Sequence, residues 1–447
     1  MKKGMFFALA ASSLLFSACS SDDAVVSTVG QNEAVQQIVL QVASSGDGLT
    51  TRAGRPLYSS QALQTIQNVR VVIYNADTKE IVKDATQDWT KSTTYNNHGH
   101  GRQFTLTFKG NDRLEKGNYK VMAVGYSNES DYEYSLNATS AVGLTYGDIT
   151  ATLKAGKKEA EEVFAGDADL KIGDDKKITN LTSGEENGVA VTLHRQVAGS
   201  FGYFQNIPAS VNGKAAATLR LVVRDKNDVL TFNNFNSSFT ANGATGSTIK
   251  YYVNGSKSTS AATADAKFNN NEDGYVLYSI NLKTWFPELD KNSDGLLNAE
   301  DTWKHPDDVK TQVVKGSVFG SNFVIPFNYA EGKSTMELQL LDAENNIIKT
   351  WTVSIPKDDV NTDTANGVTD ASTSIFNVVR NHMYNLGVKT SNGTTDPDPS
   401  NPTPDPDPDK PKPEPGTDQP EDLSKSQNLI LKVNDNWEAI HKMELGD

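Results

Sequence analysis

Short apolar runs in which hydrophobic and polar residues alternate recur along the chain, separated by turns rich in Gly, Asn, Asp and Ser. Val69 to Tyr74 (VRVVIY), Phe104 to Phe108 (FTLTF), Asn118 to Tyr126 (NYKVMAVGY) and Val189 to Leu193 (VAVTL) all have this form. A period of two places successive side chains on opposite faces of a strand, so each run predicts a strand with one buried face. The same reading applies to Val197–Phe204, Thr218–Val223, Gly274–Asn281, Asn322–Phe327, Thr335–Leu341, Ile347–Ile355 and Met383–Val388. No long amphipathic helical pattern and no tandem repeat interrupts the series. The pattern predicts an all-β chain of two antiparallel sandwiches in series, over residues 53–198 and 199–390, with the passage between them through His194 and Arg195.

Two strands stand apart from this body. Ile38 to Val42 reads IVLQV, and Leu429 to Val433 reads LILKV, the same pattern in the same polarity. In the second, Leu429, Leu431 and Val433 share one face and Ile430 and Lys432 the other. A strand cut off from its sheet can neither bury its apolar face nor satisfy its backbone, so the tail must pair with something. Two copies of one pattern predict competition for one groove. Between the body and the tail (residues 428–447, with Trp437, Ile440 and Met443 near the end) lies a linker over residues 391–427. Its prolines at 397, 399, 402, 404, 406, 408, 411, 413 and 415 favour extended polyproline II, with a reach of roughly 60 Å.

The composition narrows the function. A chain of 447 residues is long enough for two domains and a sizeable core. A net charge of −14 argues against a general affinity for nucleic acid or anionic membranes. The single cysteine, Cys19, excludes an intrachain disulfide and any thiol chemistry that needs a second cysteine. Ser and Thr are abundant, but none sits in a nucleophile elbow, and His194 beside Arg195 and Asp225 makes no triad. The chain therefore reads as non-enzymatic, with no catalytic residue.

Lys2 and Lys3 precede a short apolar stretch, Met5 to Ala18, which reads as a signal peptide over residues 1–18. It ends Leu15, Phe16, Ser17, Ala18, Cys19, like a bacterial lipobox in which the Cys19 thiol takes the lipid. Ser20, Ser21, Asp22 and Asp23 then resemble the acidic signal that sends some lipoproteins to the outer surface. Residues 19–52 read as a lipidated propeptide. Arg52, within Thr50 to Arg55, lies in a run of small residues open to a trypsin-like protease, with Arg55 as the alternative cut site. A cut there would release the lipid together with the IVLQV strand.

Val163 to Gly166 (VFAG), Val191 to Ala198 (VTLHRQVA) and Val379 to Leu386 (VRNHMYNL) occur in this order along with the lipobox, the Arg after a short first strand and the strand-then-Trp ending. Together they resemble the FimA/Mfa-type fimbrillins, lipoprotein pilus subunits of gut and oral anaerobic Gram-negative bacteria. The resemblance covers nearly the whole chain. It implies two transthyretin-like β-sandwiches and assembly by donor-strand exchange. An Arg-specific protease would cut after Arg52 and remove Ile38, Leu40 and Val42 with their strand. The emptied groove would then accept Leu429, Leu431 and Val433, followed by Trp437, from another subunit. On this reading the chain is a structural pilus subunit supporting adhesion. It would be held at the cell surface as an outer-membrane lipoprotein precursor, then in the fimbria, with other pilus subunits and a host or bacterial surface ligand as partners. Such a proline spacer is not associated with ordinary stalk subunits. A second reading is a surface lipoprotein adhesin or glycan-binding module on a proline-rich stalk, with aromatics such as Tyr251 and Tyr252 for stacking.

One further motif carries chemistry. Asp290, Asn292, Asp294, Leu296, Asn298 and Asp301 occupy positions 1, 3, 5, 7, 9 and 12 of a loop with Gly295 at position 6. This spacing matches a seven-coordinate Ca²⁺ loop, with Asp in place of Glu at the last position. A structural calcium ion that stiffens the loop is expected. His98 and His100, in a polar loop without a third ligand, read as surface residues.

Overall fold

In the computed structural model the chain is described over residues 35–42, 66–95, 101–136, 149–182, 187–232, 254–258, 263–268, 271–307, 309, 313–328, 336–354, 362–363, 368–369, 377–378, 380, 383–387, 419–425 and 428–434. Among these, the one α-helix is a single turn, Leu282–Trp285, and nearly everything else regular is strand.

The first sandwich has two sheets. One is ordered β10 (Gly188–Thr192), β1 (Gln36–Val42), β5 (Gly101–Phe108) and β4 (Thr93–Tyr95). Facing it are β11 (His194–Arg195), β9 (Phe164–Ile172), β6 (Gly117–Tyr126), β2 (Asn68–Asn75) and β3 (Ile81–Asp88). Val69, Val71 and Ile73 from β2 and Val121 and Ala123 from β6 meet Ile38, Leu40, Leu106 and Val191 across the interior. These are the inward positions that alternation predicts. β3 is one of the strands that alternation does not reveal: IVKDATQD is too polar to signal a buried face because it forms the sheet's edge.

The second sandwich begins with β12 (Ala198–Gln205), which pairs antiparallel with Ser317–Val324 and parallel with Met383–Leu386. Its other sheet runs Ala266–Phe268, Glu272–Asn281, Thr218–Val223, Met336–Leu341, Ile347–Ser354 and Asn428–Ile430. Phe201, Tyr203, Leu219, Leu221, Trp285, Leu338 and Trp351 fill the space between the two.

Three features depart from the expected plan. Strand pairing is mixed: β1 with β10, β12 with Met383–Leu386 and Ile347–Ser354 with Asn428–Ile430 are parallel. These strands are brought together by long connections, and a tight hairpin can join only antiparallel neighbours. The division at residues 198 and 199 is crossed by a four-stranded sheet, in which β7 (Tyr132–Leu136) and β8 (Ile149–Leu153) continue into Val229–Thr231 and Gly255–Ser256. Leu230 and Phe232, both fully buried, share a core there with Val72, Met122, Val124 and Ala165, so the two sandwiches are joined by packed interior and not by a linker. Finally, residues 419–425 of the expected 391–427 linker belong to the second sandwich: Glu421–Asp422 pairs with β12 and Leu423 is fully buried.

Candidate strand-exchange site

β1 is an interior strand of its sheet. It pairs antiparallel with β5 from Gln36 opposite Phe108 to Val42 opposite Arg102, and parallel with β10 from Gln37 opposite Gly188 to Gln41 opposite Thr192. Ile38, Leu40 and Val42 have no exposed surface, and Val39 is also buried. Outside the ladder, Leu193 N–H donates to the Gln41 carbonyl at 2.8 Å and Gln37 N–H to the Asn187 carbonyl at 3.0 Å. Taking β1 away would unpair both neighbours and open an apolar trough. The three aliphatic side chains alone represent about 1.5 to 3 kcal/mol each of burial. Arg52 and Arg55, on the segment between β1 and β2, lie outside the described residues, as does Cys19.

Gln36 opens this strand and is only 1% exposed. Its Nε2 donates to the Leu114 carbonyl at 2.9 Å and the Lys176 carbonyl at 2.8 Å, and its Oε1 accepts from Leu114 N–H at 2.8 Å. The hydrophobic pattern passes over this residue because its partners are backbone groups 78 and 140 positions away.

The tail occupies the edge of its own second sandwich, not the first sandwich's groove, which β1 already fills. Asn428–Ile430 pairs parallel with Thr352–Ser354, and Lys432–Asn434 pairs antiparallel with Met383–Asn385 in the opposite sheet. Leu429 and Leu431 have no exposed surface and join the core around Trp351 and Tyr384. Backbone pairing sets Val433 opposite Tyr384, whereas Trp437 lies outside the described residues.

Just before the tail, Asp422 accepts from Asn206 Nδ2 at 2.9 Å and Ser424 Oγ at 2.6 Å, and Lys425 Nζ lies 2.9 Å away. Partial burial pushes this carboxyl up, but the hydrogen bonds from Ser424, Lys425 and Asn206 outweigh it and hold it down to about 2. A depressed carboxyl adds stability that is complete above its unfolded value near 4 and is lost as pH falls through the folded value. The anchor at residues 421–425 should therefore loosen as pH falls from about 4 to about 2. Amide exchange at Leu423, whose N–H bonds the Gln205 carbonyl, reports this, and Asp422→Asn should remove the pH dependence over that range.

The three motifs VFAG, VTLHRQVA and VRNHMYNL converge on one place. His194 and Arg195 pair with Ala165 and Phe164, and a Cβ on Gly166 would stand 1.9 Å from the Thr192 carbonyl oxygen, so only glycine fits there. Arg195 is buried with Glu162, donating to its Oε1 from Nε at 2.8 Å and from a terminal nitrogen at 2.6 Å, and its guanidinium lies 4.9 Å from the Phe164 ring centroid. Next to it, Gln196 Oε1 accepts from Asn254 Nδ2 at 3.1 Å and from Arg380 at 3.2 Å. Asp225, by contrast, pairs with Lys257 at 2.5 Å and takes no part. These motifs thus build the joint between the sandwiches.

In the Asp290–Asp301 loop the acidic groups are turned on to the loop itself. Asp290 accepts from Gly295 N–H, Asp294 from Leu296 N–H and from the Asn292 and Asn298 amides, and Asp301 from the N–H groups of Asn292 and Asn298. Gly295 supplies the left-handed turn at φ 85°. Among the described residues no group of three or more His, Cys, Asp or Glu side chains converges as metal ligands would. His98, His100, Tyr251 and Tyr252 lie outside the described residues.

No protein-family model and no curated protein matches the chain. Solved structures similar to it include a fimbrial assembly protein from Parabacteroides distasonis, at 14% identity, covering 80% of this chain and 92% of that one with a TM-score of 0.33. Another is the C-terminally truncated tip fimbrial protein Mfa3 from Porphyromonas gingivalis, at 9% identity, 79% and 94% coverage and a TM-score of 0.29. A cell-adhesion candidate from Parabacteroides distasonis is similar at 12% identity over 92% and 100%, with a TM-score of 0.37. At these values the likeness carries no weight for function, which rests on the geometry of the two strands.

Proposed function

We propose that this chain is a structural subunit of a surface pilus, exported as a lipoprotein through Cys19, cut after Arg52 and polymerised by donor-strand exchange. The observation that carries this reading is the position of β1. It is a sheet-interior strand with fully buried Ile38, Leu40 and Val42, held to the rest of the chain through the segment that contains Arg52. A tail of the same pattern is available to replace it, and a vacated groove between two strands is repaired only by a strand of matching alternation. In the precursor β1 fills the groove of the first sandwich, and the tail pairs along the sheet edges of the second. Cleavage would empty that groove, and the tail of another subunit would then leave its own sandwich to fill it.

The test uses purified precursor treated with a trypsin-like protease. Laddered multimers that resist mild detergent are expected only after cleavage, and deletion of residues 428–447 should abolish them. Ladders that persist without the tail would overturn the exchange.

A calcium ion held by Asp290, Asn292, Asp294, Leu296, Asn298 and Asp301 is proposed alongside. The six-position spacing and the Gly295 turn support it, while the loop's internal hydrogen bonds compete with it. Chelation should lower the melting temperature of the wild type and leave that of Asp290→Ala unchanged; equal effects on both would remove calcium from the account.

A further inference from the structure

The seven residues of β1, QQIVLQV, and residues 427–433, QNLILKV, the start of the tail with the last linker residue before it, match polar to polar and aliphatic to aliphatic at every position when aligned without a gap. Leu40 and Val42 correspond to the identical Leu431 and Val433, Ile38 and Val39 to Leu429 and Ile430, and the half-exposed Gln37 and Gln41 to Asn428 and Lys432. In the same alignment Gln36 corresponds to Gln427.

That last match is not required by the alternation of a strand. Gln36 fills a slot whose walls are backbone: the Leu114 N–H and carbonyl and the Lys176 carbonyl, all within 2.9 Å of its carboxamide. These groups belong to two turns of the facing sheet, one before β6 and one after β9, the second closed by its own bond from Gly173 N–H to the Lys177 carbonyl. They are tied to each other by Lys176 with Glu115 at 2.5 Å and by Lys116 with Asp174 at 2.7 Å. Once β1 leaves, the buried Leu114 N–H and carbonyl and the part-buried Lys176 carbonyl lose their partner, and each of the two buried groups costs about 1 to 3 kcal/mol until it is satisfied again.

We propose that this slot reads a glutamine carboxamide on the incoming strand, and that Gln427, the residue before the donor tail, takes the place of Gln36. The proposal rests on the strand-exchange reading and adds what sets register and partner identity. Alternation by itself leaves the tail free to slip by two residues, because a two-residue shift keeps the same face inward. Slipped one way, Leu429 would meet the slot and satisfy none of its groups. Slipped the other way, Lys425 would bring a buried ammonium that donates to the carbonyls but leaves the Leu114 N–H unanswered. A carboxylate fails in the opposite sense, having no hydrogen to offer two carbonyls. Only a primary amide both donates twice and accepts once, so the slot discriminates by chemistry where the apolar trough does not.

The experiment uses the full-length chain, cleaved with a trypsin-like protease, carrying Gln103→Cys and Lys432→Cys. Gln41 faces Gln103 across β1 and β5, so an in-register tail brings position 432 opposite position 103 of the next subunit. The natural Cys19 leaves with the propeptide, so the two engineered thiols are the only ones present, and peptide mapping of the 103–432 disulfide reports this contact. With Gln427 intact, a disulfide ladder is expected. In Gln427→Leu and the isosteric Gln427→Glu, detergent dissociation of the multimers, measured without oxidant, should be about a hundredfold faster. Crosslinking should also spread to Ile430→Cys or Asn434→Cys, the positions a two-residue slip brings opposite 103. Multimers of both variants that are as long-lived and as strictly in register as wild type would overturn the proposal while leaving strand exchange standing. Absence of ladders with Gln427 intact would overturn strand exchange itself.

Discussion

Glu162→Ala is expected to destabilise the protein by about 3 to 5 kcal/mol, whereas replacing Glu162 and Arg195 together by Leu should cost much less. Both side chains are about 95% buried, at 4% and 5% exposure, and the two nitrogens of Arg195 share one carboxylate oxygen. Removing the carboxylate leaves a guanidinium in the packed joint without the charge that compensated its desolvation. Removing both charges leaves an apolar joint beside Phe164, which the neighbouring core can accommodate. Urea unfolding measures this directly, as a fall in midpoint at constant slope for the single variant and its recovery in the double. Equal losses in the single and double variants would show that shape, not charge compensation, holds the pair. Because the joint is a continuous interior shared by both sandwiches, the two are also expected to unfold in one transition.

Leu429→Ala and Leu431→Ala are each expected to cost about 2 to 5 kcal/mol, from lost burial and from the cavity left beneath the tail. Both side chains are fully buried against a core that includes Trp351 and Tyr384, and the tail crosses from one sheet to the other between them. Loss of either leucine should therefore release the tail locally before the sandwich unfolds. Hydrogen exchange over Thr352–Ser354 and Met383–Asn385, the backbone that pairs with the tail, should accelerate strongly in these variants. Exchange in β1 and β5, in the first sandwich, should stay at the wild-type rate. Uniform acceleration in both sandwiches would mean that the tail is part of the global core and cannot leave on its own.

The pH experiment at Asp422 probes the same tail by other means. Loosening at Asp422 on acidification would free the segment that leads into Leu429, which links a local titration to the availability of the donor strand.

The candidate site was legible in part. IVLQV and LILKV could be recognised as strands and as copies of each other because alternation of aliphatic and polar residues is a local property of the chain. That Leu429 and Leu431 lie buried on their own sandwich was not legible, since several edges could have received them. Gln36 escaped notice because a glutamine in a strand reads as a polar position unless its backbone partners, Leu114 and Lys176, are known. VFAG, VTLHRQVA and VRNHMYNL were visible as motifs, but their shared role at the joint emerges only where Arg195 meets Glu162 and Phe164, and Gln196 meets Arg380.

By itself the sequence determined the all-β class, the positions of most of the longer strands and the pairing requirement of the two outlying strands. All of these follow from spacing within a few residues. Tertiary structure alone decided which edges meet: β1 between β10 and β5, the tail across both sheets of the second sandwich, and Val229–Thr231 back against the first. Those choices depend on which distant surfaces can bury each other while leaving no backbone group unpaired, and residues 78 or 140 apart in the chain carry no local trace of that.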